Sequence, residues 1–326
     1  METCKICLKK VPADQRYSDY HNMCLSKLFD SSMVSPILSF TRDIFKTDIK
    51  KYTKGMSISG VQKKLSLKID GDALVLTNTG GTFIIKPTVE DFAELSQNEH
   101  LSMLIGKALE IETPPLGLIK FADEELAYII RRFDWLESKK IQKEDMTQIF
   151  QLNRNEDETY KYSQSYEEVG NKLLEVTNGK LIVALDFFNR LVYNYIIQNG
   201  DYHLKNISVI AERLSKQAFY EKLAPNYDSV MTRLYFPEES ELALSLLKDD
   251  AVPTSYQTVG WYTRPDFEQI GIRIGLTSAA MAIFFEKVRR KKIQIFDLIS
   301  SSFLSTEMKE KYKFNVTQRL TKLGLN

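Results

Sequence analysis

Asp201-Tyr-His203-Leu-Lys205-Asn206 lies in a polar loop, Asn199–Asn206, between an apolar helical pattern and a short apolar run. Phosphoryl transfer asks little covalent chemistry of a protein. It needs placed cations, metal ligands and an acceptor for the hydroxyl proton. An Asp followed at this spacing by an Asn can supply two of these, with Asp201 facing a hydroxyl while Asn206 turns back to a Mg²⁺ ion. Asp228, in Pro225-Asn-Tyr227-Asp228-Ser, follows at a position suited to a second metal carboxylate. A competing reading is an Asx-rich turn, because Asn199-Gly-Asp201 is also ordinary turn chemistry.

Lys86 ends the apolar strand Phe83-Ile-Ile-Lys86, where its ammonium could reach the α- and β-phosphates of ATP; the plainer alternative is an exposed strand edge. The helix after it offers Glu94 and Glu99 as ion-pair partners, and Glu99 lies nearer that helix's apolar centre. Met56-Ser57-Ile-Ser59-Gly60-Val61-Gln62-Lys63-Lys64 stands where a phosphate-covering loop would be. It is not glycine-rich, but its serines, amide and lysines can donate to phosphate oxygens.

The elements that must position these residues fall into two groups. Leu65–Ile69, Ala73–Thr77, Thr82–Lys86, Leu116–Phe121 and Leu126–Arg132 read as short strands, interrupted by one helix from Glu94 to Leu109. Beyond residue 140 the period turns helical, at Tyr166–Val176, Ile182–Gln198, Ala279–Arg289 and Ile293–Leu304, with a short strand at Ile207–Ile210. Ile37, Leu38, Phe40, Ile44 and Phe45 suggest a further helix before a basic tether at Lys50–Lys54. The expected architecture is α+β and bilobed: a small Cys- and His-containing segment with tether (1–54), a strand-rich lobe (55–135) and a helical lobe (136–326). A cleft between two such lobes is a common nucleotide site.

Among the 326 residues, 44 Lys+Arg against 43 Asp+Glu leave a net charge of +1, so no global bias points to nucleic acid or a membrane surface. The apolar stretch from Val183 to Ile197 is broken by Asp186, Asn189 and Arg190, against a membrane span. The first residues lack a signal-peptide pattern, so the cytoplasm is the expected compartment. Cys4, Cys7, His21 and Cys24 make C-x₂-C-x₁₃-H-x₂-C, a spacing suited to structural Zn²⁺. Three unligated thiols and a coincidental histidine are the alternative.

With these residues in place, the chain resembles the HipA-type serine/threonine kinase toxins, in their short HipT-like branch. The resemblance rests on Ser57–Ser66, Phe83–Pro87, Asn98-Glu-His100, Arg131-Arg-Phe-Asp134, Gly200–Asn206 and Ala224–Asp228, in the family's order. It implies a protein-kinase-like fold, Asp201 as catalytic base, Asn206 and Asp228 as Mg²⁺ ligands, and Lys86 on the ATP phosphates. It further implies nucleotide contacts from Ser59, Gly60, Val61, Gln62, Lys63, Lys64, Arg131, Arg132, Phe133, His203, Lys205 and Tyr227. Family members are similar in phosphorylating a tRNA-charging enzyme and their own loop serines, corresponding to Ser57 and Ser59. A helix-turn-helix antitoxin and a small HipS-like protein are the implied partners. The Asp/Asn/Asp set does not define the acceptor, so a small-molecule or lipid kinase remains an alternative, as does a nucleotide-binding pseudokinase.

Overall fold

The computed structural model describes residues 2–44, 64–136, 139–153, 159–211 and 219–326. Phe45, the Lys50–Lys54 tether, Ser57, Ser59, Gly60, Val61, Gln62 and Lys63 lie outside them.

Strands β1 (Leu65–Asp70), β2 (Ala73–Leu76), β3 (Phe83–Pro87), β4 (Leu116–Lys120) and β5 (Leu126–Arg131) form one antiparallel sheet in the order β2-β1-β3-β5-β4. Side chains alternate faces along a strand, and here both faces are covered. Phe83, Ile85, Ile119, Ala127 and Ile129 pack against Tyr20, Leu25, Leu28 and Phe29 of the N-terminal segment, which carries helix α1 (Asn22–Phe29). Leu116, Leu118, Tyr128 and Ile130 face helix α2 (Leu95–Ala108) through Leu101, Leu104 and Ile105. Lys86 follows Ile85 and therefore belongs to the α2 face, paired with Tyr128 across β3 and β5.

The N-terminal segment shares a core with the sheet and also closes its edge. Leu118 N donates to Lys5 O (2.8 Å), Lys120 N to Pro36 O (3.0 Å) and Leu38 N to Lys120 O (2.8 Å). These bonds occupy the outer side of β4 and leave it no unpaired edge there. They also correct one expectation: Ile37, Leu38 and Phe40 do not lie on a helix. Residues 31–43 form bends and turns, with Ile37 bridged to Lys120. Pro36 lacks the N–H a helix would use, and Leu38 buries itself against the sheet instead.

Beyond the paired β6 (Trp135–Leu136) and β7 (Lys139–Lys140), β8 (Gln142–Asp145) joins β9 (Ser208–Ala211) and β10 (Lys222–Leu223) in a second antiparallel sheet, order β10-β9-β8. Helices α3 (Met146–Ile149), α4 (Tyr166–Val176), α5 (Leu181–Ile196), α6 (Thr254–Val259), α7 (Arg264–Arg273), α8 (Ser278–Ser301) and α9 (Thr306–Lys322) complete the second lobe. α8 runs unbroken where the sequence suggested two helices: the basic run Arg289–Lys292 is merely its solvated middle. α5 is the lobe's axis, buried along Val183, Phe187, Leu191 and Tyr195, and it delivers the polar loop that begins at Asn199.

Candidate active site

Lys86 is 7% exposed, yet its ammonium is doubly paired. Nζ donates to Glu99 Oε1 at 2.6 Å and to Asp228 Oδ1, and it sits 5.6 Å from the Tyr128 ring centroid. Burial opposes its charge, but the two carboxylates outweigh that and hold its pKa above the usual lysine value. Two acids share one cation, and they divide unequally. Burial raises Glu99 to about 7, whereas for Asp228 the attraction of Lys86 and Lys64 overcomes burial and lowers it to about 2. Glu99 Oε2 is buried without a hydrogen-bond partner among the described residues. Glu94, the other candidate partner, caps α2 and accepts from Ser305 N at 2.7 Å instead.

Asn98, Glu99 and His100 are consecutive, buried and polar, and each reaches a different segment. Asn98 exchanges hydrogen bonds with the backbone of Met231, donating at 3.1 Å and accepting at 3.0 Å. Glu99 takes Lys86, and His100 Nε2 meets Ile6 O at 3.1 Å. One turn of α2 thus ties together β3, the segment after Asp228 and the N-terminal turn.

In the loop after α5, Asp201 is exposed. His203 Nε2 stands 3.2 Å from its Oδ1, and Asn206 Nδ2 donates to its backbone carbonyl at 2.7 Å. That bond commits the amide nitrogen of Asn206 and leaves its carbonyl oxygen as the atom suited to a cation. Tyr227 connects this loop to Asp228: its hydroxyl donates to Lys205 O (3.1 Å) and lies 2.5 Å from Ser208 Oγ. Asp228 itself adopts φ +54°, a left-handed conformation that Asp tolerates better than most residues. Such conformations concentrate at functional sites.

The remaining residues named from the sequence divide. Phe133 and Tyr227 lie 5.6 Å apart, next to the small apolar cluster Ile141, Ile210 and Ala224. His203 packs edge-on against Tyr162 (5.3 Å), and Lys205 lies 5.9 Å from the Tyr160 ring. The side chains of Arg131 and Arg132 turn elsewhere: Arg131 to Leu28 O and Asp30, Arg132 in a bidentate pair with Asp134. Only their backbone remains for the cleft, and Arg132 N already donates to Thr82 O.

Three residues at the site were missed by the sequence reading. Lys143, on β8, lies over the Tyr227 ring (4.7 Å) and is held below the usual lysine value by burial, with Asp228 opposing. Glu239, raised to about 7 by burial, accepts from Thr232 Oγ1, which in turn accepts from Gly200 N at 2.7 Å. A Cβ on Gly200 would meet the Glu239 carboxylate at 2.5 Å, so a larger residue before Asp201 would have to displace that side chain. Arg190, buried on α5, pairs bidentately with Asp186 and donates to Ala224 O, fixing the approach to Asp228. Its position within an apolar helical run was the available signal.

A buried Lys–Glu pair between strand and helix, with an Asp/Asn loop and a downstream Asp converging from a helical lobe, defines a bilobed kinase-like fold. Residues 56–295 match the family of the HipA-like C-terminal domain, and the chain belongs to that family. A protein of Haemophilus influenzae named "Putative kinase" is 32% identical over 93% of this chain and 92% of its own length. Another named "Putative kinase Y4dM", from Sinorhizobium fredii, is 29% identical over 58% of this chain and 48% of its own. Among solved structures the chain is similar to HipA of the Shewanella oneidensis toxin–antitoxin system, determined with HipB and operator DNA. That match has a TM-score of 0.63 at 19% identity, covering 82% of this chain but only 65% of that one. CtkA, a proinflammatory kinase of Helicobacter pylori, matches with a TM-score of 0.57 at 14% identity, over 83% and 92% of the two chains.

Proposed function

We propose that the protein transfers the γ-phosphate of ATP to a serine or threonine hydroxyl of a protein, as the toxin of a HipA-type toxin–antitoxin pair. The observation that carries this reading is the buried Lys86 ammonium held between Glu99 and Asp228, with the Asp201–Asn206 loop tied to Asp228 through Tyr227. Lys86 keeps Glu99 when its second contact is exchanged for an α- or β-phosphate oxygen. Phe133, Tyr227 and the Ile141–Ile210–Ala224 cluster offer the apolar surface that an adenine ring requires, and the backbone of Arg131–Phe133 and the loop Ser59–Lys64 complete the nucleotide contacts. Asp201, exposed and oriented by His203 and Asn206, takes the proton from the acceptor hydroxyl. The hydroxyl oxygen bonds to the γ-phosphorus as the bond to the β–γ bridging oxygen breaks, and ADP leaves.

Asn206 and Asp228 suit a hard divalent cation by their oxygen donors, since the hydrogen bond from Asn206 Nδ2 to Asp201 O commits the amide nitrogen and leaves the oxygen as the ligand atom. Bound there, Mg²⁺ would offset charge on the phosphates. The family resemblance supports an acceptor in translation, an aminoacyl-tRNA synthetase, and autophosphorylation at Ser57 and Ser59, where a phosphate would compete with ATP for Lys86 and Lys64. It likewise supports a helix-turn-helix antitoxin and a small HipS-like protein as partners. No described helix is long and apolar enough to cross a membrane.

The test is transfer of γ-labelled phosphate from ATP in cell extract, with wild type beside Asp201→Asn. Label in protein phosphoserine or phosphothreonine, lost in the variant, supports the reading. Label confined to metabolites or lipids, or no transfer at all, overturns it.

A further inference from the structure

The ligand atoms of Cys4, Cys7, His21 and Cys24, none of which contacts the Lys86 cluster in the bonds described above, all stand within 4.8 Å of one another. Two segments supply them. Residues 3–10 fold back on themselves through a Thr3–Lys10 bridge, and Cys4 N donates to Lys9 O while Leu8 N donates to Cys4 O. His21 and Cys24 come from the cap and first turn of α1.

The detail of this cluster exceeds what three unligated thiols require. His21 Nδ1 lies 3.4 Å from Cys7 Sγ and 3.8 Å from Cys24 Sγ. A tetrahedron with zinc–sulfur bonds of about 2.3 Å and a zinc–nitrogen bond of about 2.0 Å has edges of roughly 3.5–3.8 Å. The other ring nitrogen, Nε2, lies 3.0 Å from Lys10 O; donating its hydrogen there commits the ring to the tautomer whose unprotonated Nδ1 can bind a metal. The turn itself is strained: Leu8, a buried and branched residue, adopts φ +61° directly after Cys7. Lys5, the cation nearest in sequence, is turned away to Asp19 at 2.7 Å. The chain brings four electron-pair donors together there and points its own cation elsewhere.

We propose that Cys4, Cys7, His21 and Cys24 hold one Zn²⁺ ion in a closed structural site, and that this site braces the lobe carrying Lys86. Four protein ligands fill the tetrahedron and leave no position for substrate, which separates this site from catalysis. The bracing follows from what lies between the ligands. Lys5 O accepts from Leu118 N on β4, and Tyr20 OH donates to Leu118 O at 3.2 Å. Ile6 packs onto Gly117, where a Cβ would approach its Cγ1 to 2.8 Å, and Ile6 O receives His100 Nε2. His100 directly follows Glu99 on α2. Zinc therefore fixes the turn whose carbonyls pin both the edge strand and the helix that supplies the partner of Lys86.

The experiment uses the full chain without a histidine tag, purified from zinc-supplemented cells. Metal analysis should return about one zinc per chain, released when a mercurial blocks the three thiols. Stripping zinc from the wild-type protein should lower the thermal midpoint by roughly 5 °C or more and speed amide exchange in residues 95–108, both reversed by added Zn²⁺. Cys7→Ser/Cys24→Ser should carry no zinc; if that variant does not fold, the strip-and-restore measurement on wild type decides alone. Three thiols that react equally fast with and without added Zn²⁺, or a disulfide among them, would overturn the site. Bound zinc whose removal leaves exchange in 95–108 unchanged would overturn the bracing.

Discussion

The two polar clusters of this molecule are assembled in opposite ways. In the cleft the chain supplies both signs of charge, bringing Lys86, Glu99 and Asp228 together across sequence separations of 13 and 142. At the N-terminal turn, four donors of one kind converge within the first 24 residues. A cluster that balances its own charge can stay buried, because each ion finds a partner of opposite sign. A cluster of thiols and imidazole gains its stability from a cation brought from outside. On the proposed readings, the first would exchange one partner for a ligand, and the second would act as a fixed clamp once it holds zinc. His100 lies between them, touching Ile6 in the clamp and adjoining Glu99 in the cleft.

The sharpest way to break the comparison is to remove the cleft's own cation. Lys86→Ala should lower phosphoryl transfer by about 10²–10³-fold in a labelled-ATP assay, since positioned cations supply most of the transition-state stabilisation. Full activity in that variant would mean that the Lys86 cluster is only structural. Cutting the connection comes next. His100→Ala should destabilise folding by about 1–3 kcal/mol in denaturant titration, because the Ile6 carbonyl loses its partner, and should weaken zinc retention in parallel. An unchanged midpoint would show the two clusters to be independent.

The smallest effect is a pH dependence. Glu99 in the fold has a pKa of about 7, above its ordinary 4.5, so the folded state binds that proton more tightly. Its contribution to stability is present in full below pH 4.5 and is lost as pH rises through 7. Between pH 5 and pH 8 the wild type should lose about 1–3 kcal/mol that Glu99→Gln does not lose. Parallel pH profiles for the two proteins would contradict the assignment.

Different parts of this arrangement were legible in the sequence for different physical reasons. Strand alternation was readable at Leu65–Ile69, but Phe83-Ile84-Ile85 is apolar throughout, so the placement of Lys86 on the face opposite Phe83 and Ile85 comes from the structure. The zinc-like spacing was readable because its ligands are local. The kinase-like loop was readable because Asp201 and Asn206 are held by one turn. Decisions made by tertiary packing were not readable. The apolar residues at 37–40 fit a helical period, but backbone pairing with β4 claimed them. The choice of Glu99 over Glu94, by contrast, was readable from its place nearer the apolar centre of α2, and it is Glu99 that pairs with Lys86. Lys143 and Glu239 carry no local pattern; their roles come from the elements that fold over them.

The central claim is that Asp201 does chemistry in a cleft whose nucleotide contacts lie elsewhere. It is tested most directly by measuring ATP affinity and single-turnover phosphate transfer on Asp201→Asn and wild type side by side. ATP affinity should stay within about threefold while transfer falls by about 10²–10⁴-fold, as for loss of a general base. Transfer by Asp201→Asn at the wild-type rate would contradict the account.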